Sequence, residues 1–354
     1  MAEKPFAARL VAWQQVHGRH DLPWQVTDPY RVWLSEIMLQ QTQVATVLDY
    51  YRRFLDAFPT LAALAAAPQS DVLACWSGLG YYSRARNLHK AAQWLVHECG
   101  GVFPDQREAI EHLSGVGRST AAAIAAFAFG RREAILDGNV KRVLTRCFGI
   151  EGFPGDKKIE QRLWTLAESL LPEQGIVAYT QGLMDLGATV CTRGRPACER
   201  CPLAAECVAA REGRVGELPT PRPRKSIPTR HTVMMLACSG ASVWLERRPP
   251  TGIWGGLLSL PEFADSFAVD DWLALHGSGD VLPAWPEFEH VFSHYRLLIT
   301  PLPLRLDSLR ADVAGEGGGG EWVALDDAPD AGVPAPVRKL LLKLARSREA
   351  GPEI

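Results

Sequence analysis

The chain has little that points to a membrane, an export route or a single strongly charged partner. No apolar run is long enough to span a bilayer, and no basic-then-apolar leader opens the sequence. A cytoplasmic protein without membrane contact is therefore expected. The formal net charge of −2 over 354 residues lacks the basic excess usual for a nucleic-acid binder. Eight cysteines, four of them scattered, do not make a disulfide framework. Hydrophobic content of 47% and charged content of 22% are those of an ordinary globular protein long enough for two domains.

The near-neutral total conceals an asymmetry. Residues 1–230 carry 28 Lys+Arg against 23 Asp+Glu, or +5, and the remainder carries 10 against 17, or −7, which sum to −2. A basic front half suggests that this part grips phosphate.

The most informative stretch is 113–146, LSGVGRSTAAAIAAFAFGRREAILDGNVKRVLTR. Leu113-Ser114-Gly115-Val116-Gly117 reads as a tight turn. Glycine there exposes backbone N–H groups just before a helix N-terminus, a setting that favours phosphate. A helical run follows from Ser119 to about Phe129, and a second helix starts near Val140. Asp137 stands at its start with Lys141, Arg142 and Arg146 close in sequence. By its position Asp137 is either a helix N-cap or a functional carboxylate in a basic setting.

Glu36 lies in the apolar run Trp33-Leu34-Ser35-Glu36-Ile37-Met38-Leu39, where a carboxylate is either on the surface side of a helix or has a raised pKa. Gln40, Gln41, Thr42 and Gln43 form a polar knot after it. Residues 76–87 join a glycine turn to Tyr81, Tyr82, Arg84 and Arg86, groups able to fill a gap in a base stack and hold its phosphates. Cys191-x6-Cys198-x2-Cys201-x5-Cys207 places four thiols within seventeen residues, a strong metal signal. Zinc and iron–sulfur both suit four thiolates. Residues 213–230 are rich in proline and arginine, a stiff linker composition. Beyond them come short strand patterns reaching about Leu306, a glycine run over 315–320 and a last helix over 337–347.

LSGVGRSTA followed by LDGNVKR, together with WLSEIMLQQTQV, resembles the helix–hairpin–helix DNA glycosylases, and most closely the adenine glycosylases of the MutY type. The resemblance implies a mainly α N-terminal domain over 1–212, with a six-helix region and an iron–sulfur region. The 213–230 linker and an α+β Nudix-like domain over 231–354 would follow. It implies that the enzyme removes adenine mispaired with 8-oxoguanine or guanine in double-stranded DNA, flips the base out, and leaves an abasic site.

On the family pattern Glu36 is the general acid and Asp137 stabilises the sugar cation. Trp24, Ser119, Asn139 and Asp185 form or support the adenine pocket. Gln41, one of Tyr81 and Tyr82, Arg84, Arg86, Gly115, Gly117, Arg118 and Lys141 meet DNA, with Tyr81 chosen by register as the wedge. Cys191, Cys198, Cys201 and Cys207 match the family's loop for one 4Fe–4S cluster at every interval. Phe292, Ser293 and His294 look like the loop that reads 8-oxoguanine. Ser119 stands where strand-cutting relatives have lysine, so a monofunctional enzyme is expected. No RExxEE pattern follows Gly256, so the second domain is expected to recognise rather than hydrolyse. A monomer working in the cytoplasm, on the nucleoid if the cell is bacterial, completes the expectation. A pyrimidine glycosylase–lyase of the endonuclease III type and a non-catalytic damage binder are the alternatives.

Overall fold

The computed structural model describes residues 5–223, 227–249, 252–292, 294–309 and 320–349. These fall into two compact units, Met1–Ala66 with Asn87–Arg224, and Ala67–Arg86 with Lys225–Ile354.

The first unit is helical. In chain order the helices that build it, and those of the segment 67–86, are α1 (Phe6–His17), α2 (Pro29–Leu39), α3 (Val44–Ala57), α4 (Leu61–Ala66), α5 (Gln69–Trp76), α6 (Ser83–Cys99), α7 (Arg107–Glu111), α8 (Arg118–Phe129), α9 (Gly138–Phe148), α10 (Lys157–Ser169), α11 (Ile176–Asp185) and α12 (Val208–Arg211). The start of α2 is set locally: Asp28 caps it by accepting from the Arg31 N–H, and Pro29 occupies the first helical position, where its missing donor costs nothing. α8 is buried along Ala121–Ala126, and a helix apolar on every side belongs in a core. Its end is fixed by Gly130 in the left-handed conformation, and that of α9 by Gly149. α9 and α11 share a core with Leu10, Leu163 and Leu203.

The expected linker does not run free from residue 213. Leu218 is buried, and its carbonyl accepts from Arg146 Nε at 2.8 Å. Thr220 Oγ1 accepts from the Gly152 N–H.

The second unit carries a mixed sheet. Its strands are β1 (Thr229–Ser239), β2 (Ser242–Arg247), β3 (Leu258–Ser259), β4 (Glu262–Phe263), β5 (Gly277–Val281), β6 (Phe288–Val291), β7 (Arg296–Leu309) and β8 (Gly320–Ala324). β1 and β7 pair in parallel from Thr229↔Arg296 to Cys238↔Arg305, and the other pairings are antiparallel. β1 alternates: Met234, Leu236 and Cys238 enter one core, and Val233, Met235 and Ala237 the other. The first core is covered by α14 (Ala335–Glu349), whose Val337, Leu340, Leu341 and Leu344 enter it.

One helix was not expected. α13 (Ser266–His276) lies where only strands were foreseen, and Asp265 caps it by accepting from the Ala268 N–H at 3.0 Å. Its Val269, Trp272 and Leu273 pack on the second core. The only acidic side chains on α13 are the adjacent Asp270 and Asp271, not a glutamate cluster. Of the glycine run expected at 315–320, Gly320 opens β8 and the rest lies outside the described residues.

Candidate active site

Two carboxylates define the site. Glu36 sits on α2 and borders a cavity of about 540 Å³, together with Trp24, Val32, Ser35, Leu39 and Phe127. Burial, and then the negative charge of Asp137, push its carboxyl up to about 8. Asp137 caps α9 with Oδ1, which accepts from the Val140 N–H at 2.8 Å. Its Oδ2 accepts from Asn139 Nδ2 at 3.5 Å. Burial raises Asp137 as well, but the N–H groups of Val140 and Asn139, Arg142 and the Asn139 amide all oppose that. Of the two, Asp137 has hydrogen-bond donors for its charged form at a helix N-terminus, so it holds the charge and Glu36 the proton. The N-cap and the functional carboxylate are therefore the same group.

The expected support residues take distinct places. Trp24 is 7% exposed and meets Tyr51 edge-on at 5.3 Å between ring centroids, leaving a face to the cavity it lines. Ser119 Oγ accepts from the Leu136 N–H at 2.9 Å, which fixes the residue before Asp137. Asn139 Oδ1 accepts from Arg142 Nη2 at 2.8 Å, and the same nitrogen reaches Gly187 O at 2.7 Å.

Asp185, 1% exposed, accepts from the Arg19 backbone N–H and Nε, and from Gln181 Nε2 at 2.8 Å. It thus moors the loop after α1 to α11, and Arg19 and Gln181 both line the cavity. These two polar wall residues were not singled out in the sequence. The i, i+4 spacing of Gln181 and Asp185 on one helix was the available signal.

The hairpin between α7 and α8 has the expected form. Gly115 has φ +79°, and a Cβ there would lie 2.8 Å from Asn87 Cβ, so glycine is required twice over. Gly117 caps α8 without a side-chain bond from any described residue. Gln40 Nε2 reaches Gly115 O and Thr120 Oγ1, both at 3.4 Å, tying the end of α2 to the hairpin. Gln41 is exposed with φ +57°, a left-handed backbone that is uncommon outside glycine.

Several basic side chains are engaged within the protein. Lys141 Nζ pairs with Glu160 at 2.6 Å, and Arg118 pairs with Glu168 while lying 4.0 Å over the Trp164 ring. Arg84, 7% exposed, donates to Leu79 O and Gly80 O; its guanidinium holds the glycine turn and is not presented to solvent phosphate. Arg86 Nη1 donates to Gly255 O. The two tyrosines separate cleanly. Tyr82 is buried and its hydroxyl donates to Val333 O, whereas Tyr81 is 53% exposed with φ +50°.

Cys191, Cys198, Cys201 and Cys207 border one cavity, which Arg146 and Cys147 also line. Among the described residues no group of three His, Cys, Asp or Glu side chains is placed to hold a single metal ion. Arg146, 3% exposed, donates to Leu218 O, to Thr192 O at 2.7 Å, to Arg193 O and to Cys191 Sγ at 3.4 Å. The Cys207 thiol is pushed down, first by a hydrogen bond from Cys147 and then, against burial, by the N–H groups of Ala210 and Ala209 and by Arg146. A buried cation and aligned N–H groups are what an anionic thiolate-bound centre needs, so the residues fit a cluster.

In the second unit, Phe292 and His294 lie in the turn between β6 and β7, where Val291 pairs with Arg296. Ser293 is outside the described residues. The Phe292 ring packs on His290 at 4.6 Å, Tyr295 at 4.7 Å and Trp254 at 5.3 Å, while His294 is exposed.

A cavity bordered by a buried carboxyl, a second carboxyl acting on it from a helix N-terminus, and a glycine hairpin are the arrangement of a helix–hairpin–helix base-excision glycosylase. Residues 34–169 match the family model of the HhH-GPD superfamily base excision DNA repair proteins, and residues 232–343 that of the NUDIX domain. An adenine DNA glycosylase of Buchnera aphidicola subsp. Acyrthosiphon pisum is 37% identical over 343 residues, covering 96% of this chain and 98% of that protein. The human adenine DNA glycosylase is 44% identical over 214 residues, 58% of this chain and 39% of that protein. Among solved structures, a thermostable thymine-DNA glycosylase matches with TM-score 0.53 and 30% identity over 58% of this chain and 95% of that one. An endonuclease III–DNA complex matches with TM-score 0.51 at 22% identity, over 58% of this chain and 94% of that one, which shows the shared fold. The chain belongs to the adenine DNA glycosylase family: it is a DNA glycosylase that acts on adenine. Among the described residues no helix is long and apolar enough to cross a membrane.

Proposed function

We propose that the enzyme hydrolyses the N-glycosidic bond of adenine paired with 8-oxoguanine, or with guanine, in duplex DNA and leaves an abasic site with the strand intact. The observation that carries this is Glu36 on the wall of a cavity of about 540 Å³, roomy enough for a flipped base, its carboxyl pushed up to about 8 by burial and by Asp137. The target nitrogen is inaccessible within a stacked duplex, so the adenine is flipped out and enters beside Trp24. Glu36 donates its proton to a ring nitrogen, and the base leaves neutral. Electron demand passes to the sugar carbon, where the Asp137 carboxylate stabilises the oxocarbenium-like centre by charge or as a transient nucleophile. Water adds at that carbon, and its proton restores Glu36. Ser119 supplies no amine for an imine, which supports a monofunctional reaction.

Gln41 and Tyr81, exposed and with unusual backbone, are the residues read as entering the duplex. Phe292, Ser293 and His294 are read as meeting the partner 8-oxoguanine. Arg84 acts indirectly, by holding the turn that carries Tyr81. Gly115, Gly117, Arg118, Lys141 and Arg86 are read as the phosphate side, the last three through side chains now paired within the protein. The chain is read as acting as a monomer in the cytoplasm, on the nucleoid if the cell is bacterial.

Cys191, Cys198, Cys201 and Cys207 are read as holding one 4Fe–4S cluster, with Arg146 as its buried counter-charge. When bound, it supplies four metal–thiolate bonds that close the loop and present Arg193, Arg195 and Arg200; the reaction needs no electron. The test of the whole reading is a gel assay on duplexes with A opposite 8-oxoguanine and with an oxidised pyrimidine, each with and without hot alkali. Alkali-dependent breakage at the adenine alone is expected. Direct breakage at the pyrimidine would place the chain with the glycosylase–lyases, and binding without breakage would make it a damage binder.

A further inference from the structure

The segment bearing Tyr81 is assembled as part of the C-terminal unit. Tyr82 Oη donates to Val333 O at 3.2 Å, and Ser77 Oγ donates to the same carbonyl at 3.5 Å. Arg86 Nη1 donates to Gly255 O at 2.5 Å. Gly256, φ +77°, faces α5, where an added Cβ would lie 3.8 Å from Leu73 Cδ1. Within the segment, Arg84 and the indole N–H of Trp76 hold Gly80 O, and Tyr81 projects from the end of that turn. On the other side of Gly255 stands Trp254, φ +56°, its ring against Phe292 at 5.3 Å and His290 at 5.8 Å.

Three non-glycine residues among those described have positive φ: Gln41, Tyr81 and Trp254. Such a conformation is disfavoured for a residue with a side chain and persists only where the surroundings impose it. Tyr81 and Trp254 stand at the two ends of one contact path, Trp254–Gly255–Arg86–Tyr81, with Arg86 and Tyr81 joined through the first turn of α6.

We infer that Trp254 and Arg86 are positioning residues that set Tyr81 according to what packs against the Phe292 turn, so that reading the partner base and wedging the duplex are one coupled event. This rests on the reading that Tyr81 enters DNA and Phe292 meets the partner base. A double-mutant cycle in the full, cluster-loaded chain separates coupling from independent damage. Adenine release is measured under single turnover, opposite 8-oxoguanine and opposite guanine, for wild type, Trp254→Ala, Tyr81→Ala and the pair. Each single change is expected to lower the 8-oxoguanine rate roughly tenfold, and the pair also roughly tenfold, because both remove the same action. In a Glu36→Gln background, 2-aminopurine placed beside the adenine reports unstacking, and Trp254→Ala should suppress that signal as Tyr81→Ala does.

Arg86→Met, which keeps the stem and loses the donor, repeats the cycle if Trp254→Ala does not fold. Effects that multiply to roughly a hundredfold, or a wild-type 2-aminopurine signal in Trp254→Ala, overturn the inference while the functional reading stands. A wild type that releases no adenine overturns both.

Discussion

The negative charge of Asp137 acts on Glu36 and, after burial, is the second cause that raises its carboxyl. Burial raises both, and at Asp137 the N–H groups of Val140 and Asn139, Arg142 and the Asn139 amide oppose the rise. On the proposed reading, one fold thus supplies an acid and a charge stabiliser from two chemically similar side chains.

The first prediction is a pH profile. With Glu36 as the proposed general acid, single-turnover excision should hold through neutrality and fall as pH rises past about 8. Replacing Asp137 by Asn removes the second cause of the shift. The alkaline limb should then move to lower pH in Asp137→Asn, and the rate itself should drop roughly a hundredfold to a thousandfold. Asn is as good an N-cap, so the melting temperature should change little. An alkaline limb at the same pH in both proteins would separate the two carboxyls.

Glu36 also ties stability to pH. Its folded value, about 8, lies above the ordinary carboxyl value of 4.5, so the folded state binds this proton more tightly. Its contribution is fully present below about 4.5 and is lost as pH rises toward about 8. Glu36→Gln should therefore be inactive yet more stable than wild type at pH 8, by roughly 1–3 kcal/mol with cavity water screening part of the cost, and nearly equal at pH 4. Paired denaturant titrations at the two pH values measure this.

Ser119→Lys should gain trapping by borohydride on abasic DNA, since an amine there can form an imine. It should also lose about 1 kcal/mol, because Ser119 Oγ no longer accepts from the Leu136 N–H. Trapping no stronger than in wild type would mean that this helix position does not reach the sugar.

The cysteine loop predicts about four irons per chain after anaerobic purification. Arg146→Met should lose iron faster to a chelator, because the guanidinium joins Cys191, Thr192, Arg193 and Leu218. One zinc and no iron would replace the cluster by a structural zinc site.

Short-range patterns were legible in the sequence, and long-range partners were not. The hairpin, its following helix and the second helix start at Asp137 follow from glycine and capping chemistry within a few residues. Glu36 in its apolar run left two readings open, and only the fold brings Asp137 to bear on it. Arg84 and Arg86 carry the same charge as any phosphate-binding arginine; their engagement with Leu79, Gly80 and Gly255 carbonyls depends on how the turn and the C-terminal unit close. Lys141 found Glu160 across nineteen residues, a pairing no motif announces. Asp265 is a legible N-cap for α13, whereas the packing of Val269, Trp272 and Leu273 on the sheet is a long-range feature. Tyr81 and Tyr82 are chemically equivalent in sequence and separate only when one of them is buried beneath Val333.

The most direct test is the ratio of single-turnover excision rates for adenine opposite 8-oxoguanine and opposite guanine, at one salt concentration. A partner base read by a stacking contact and a few hydrogen bonds predicts a ratio of about tenfold to a hundredfold in favour of 8-oxoguanine. Equal rates on the two duplexes would contradict the account.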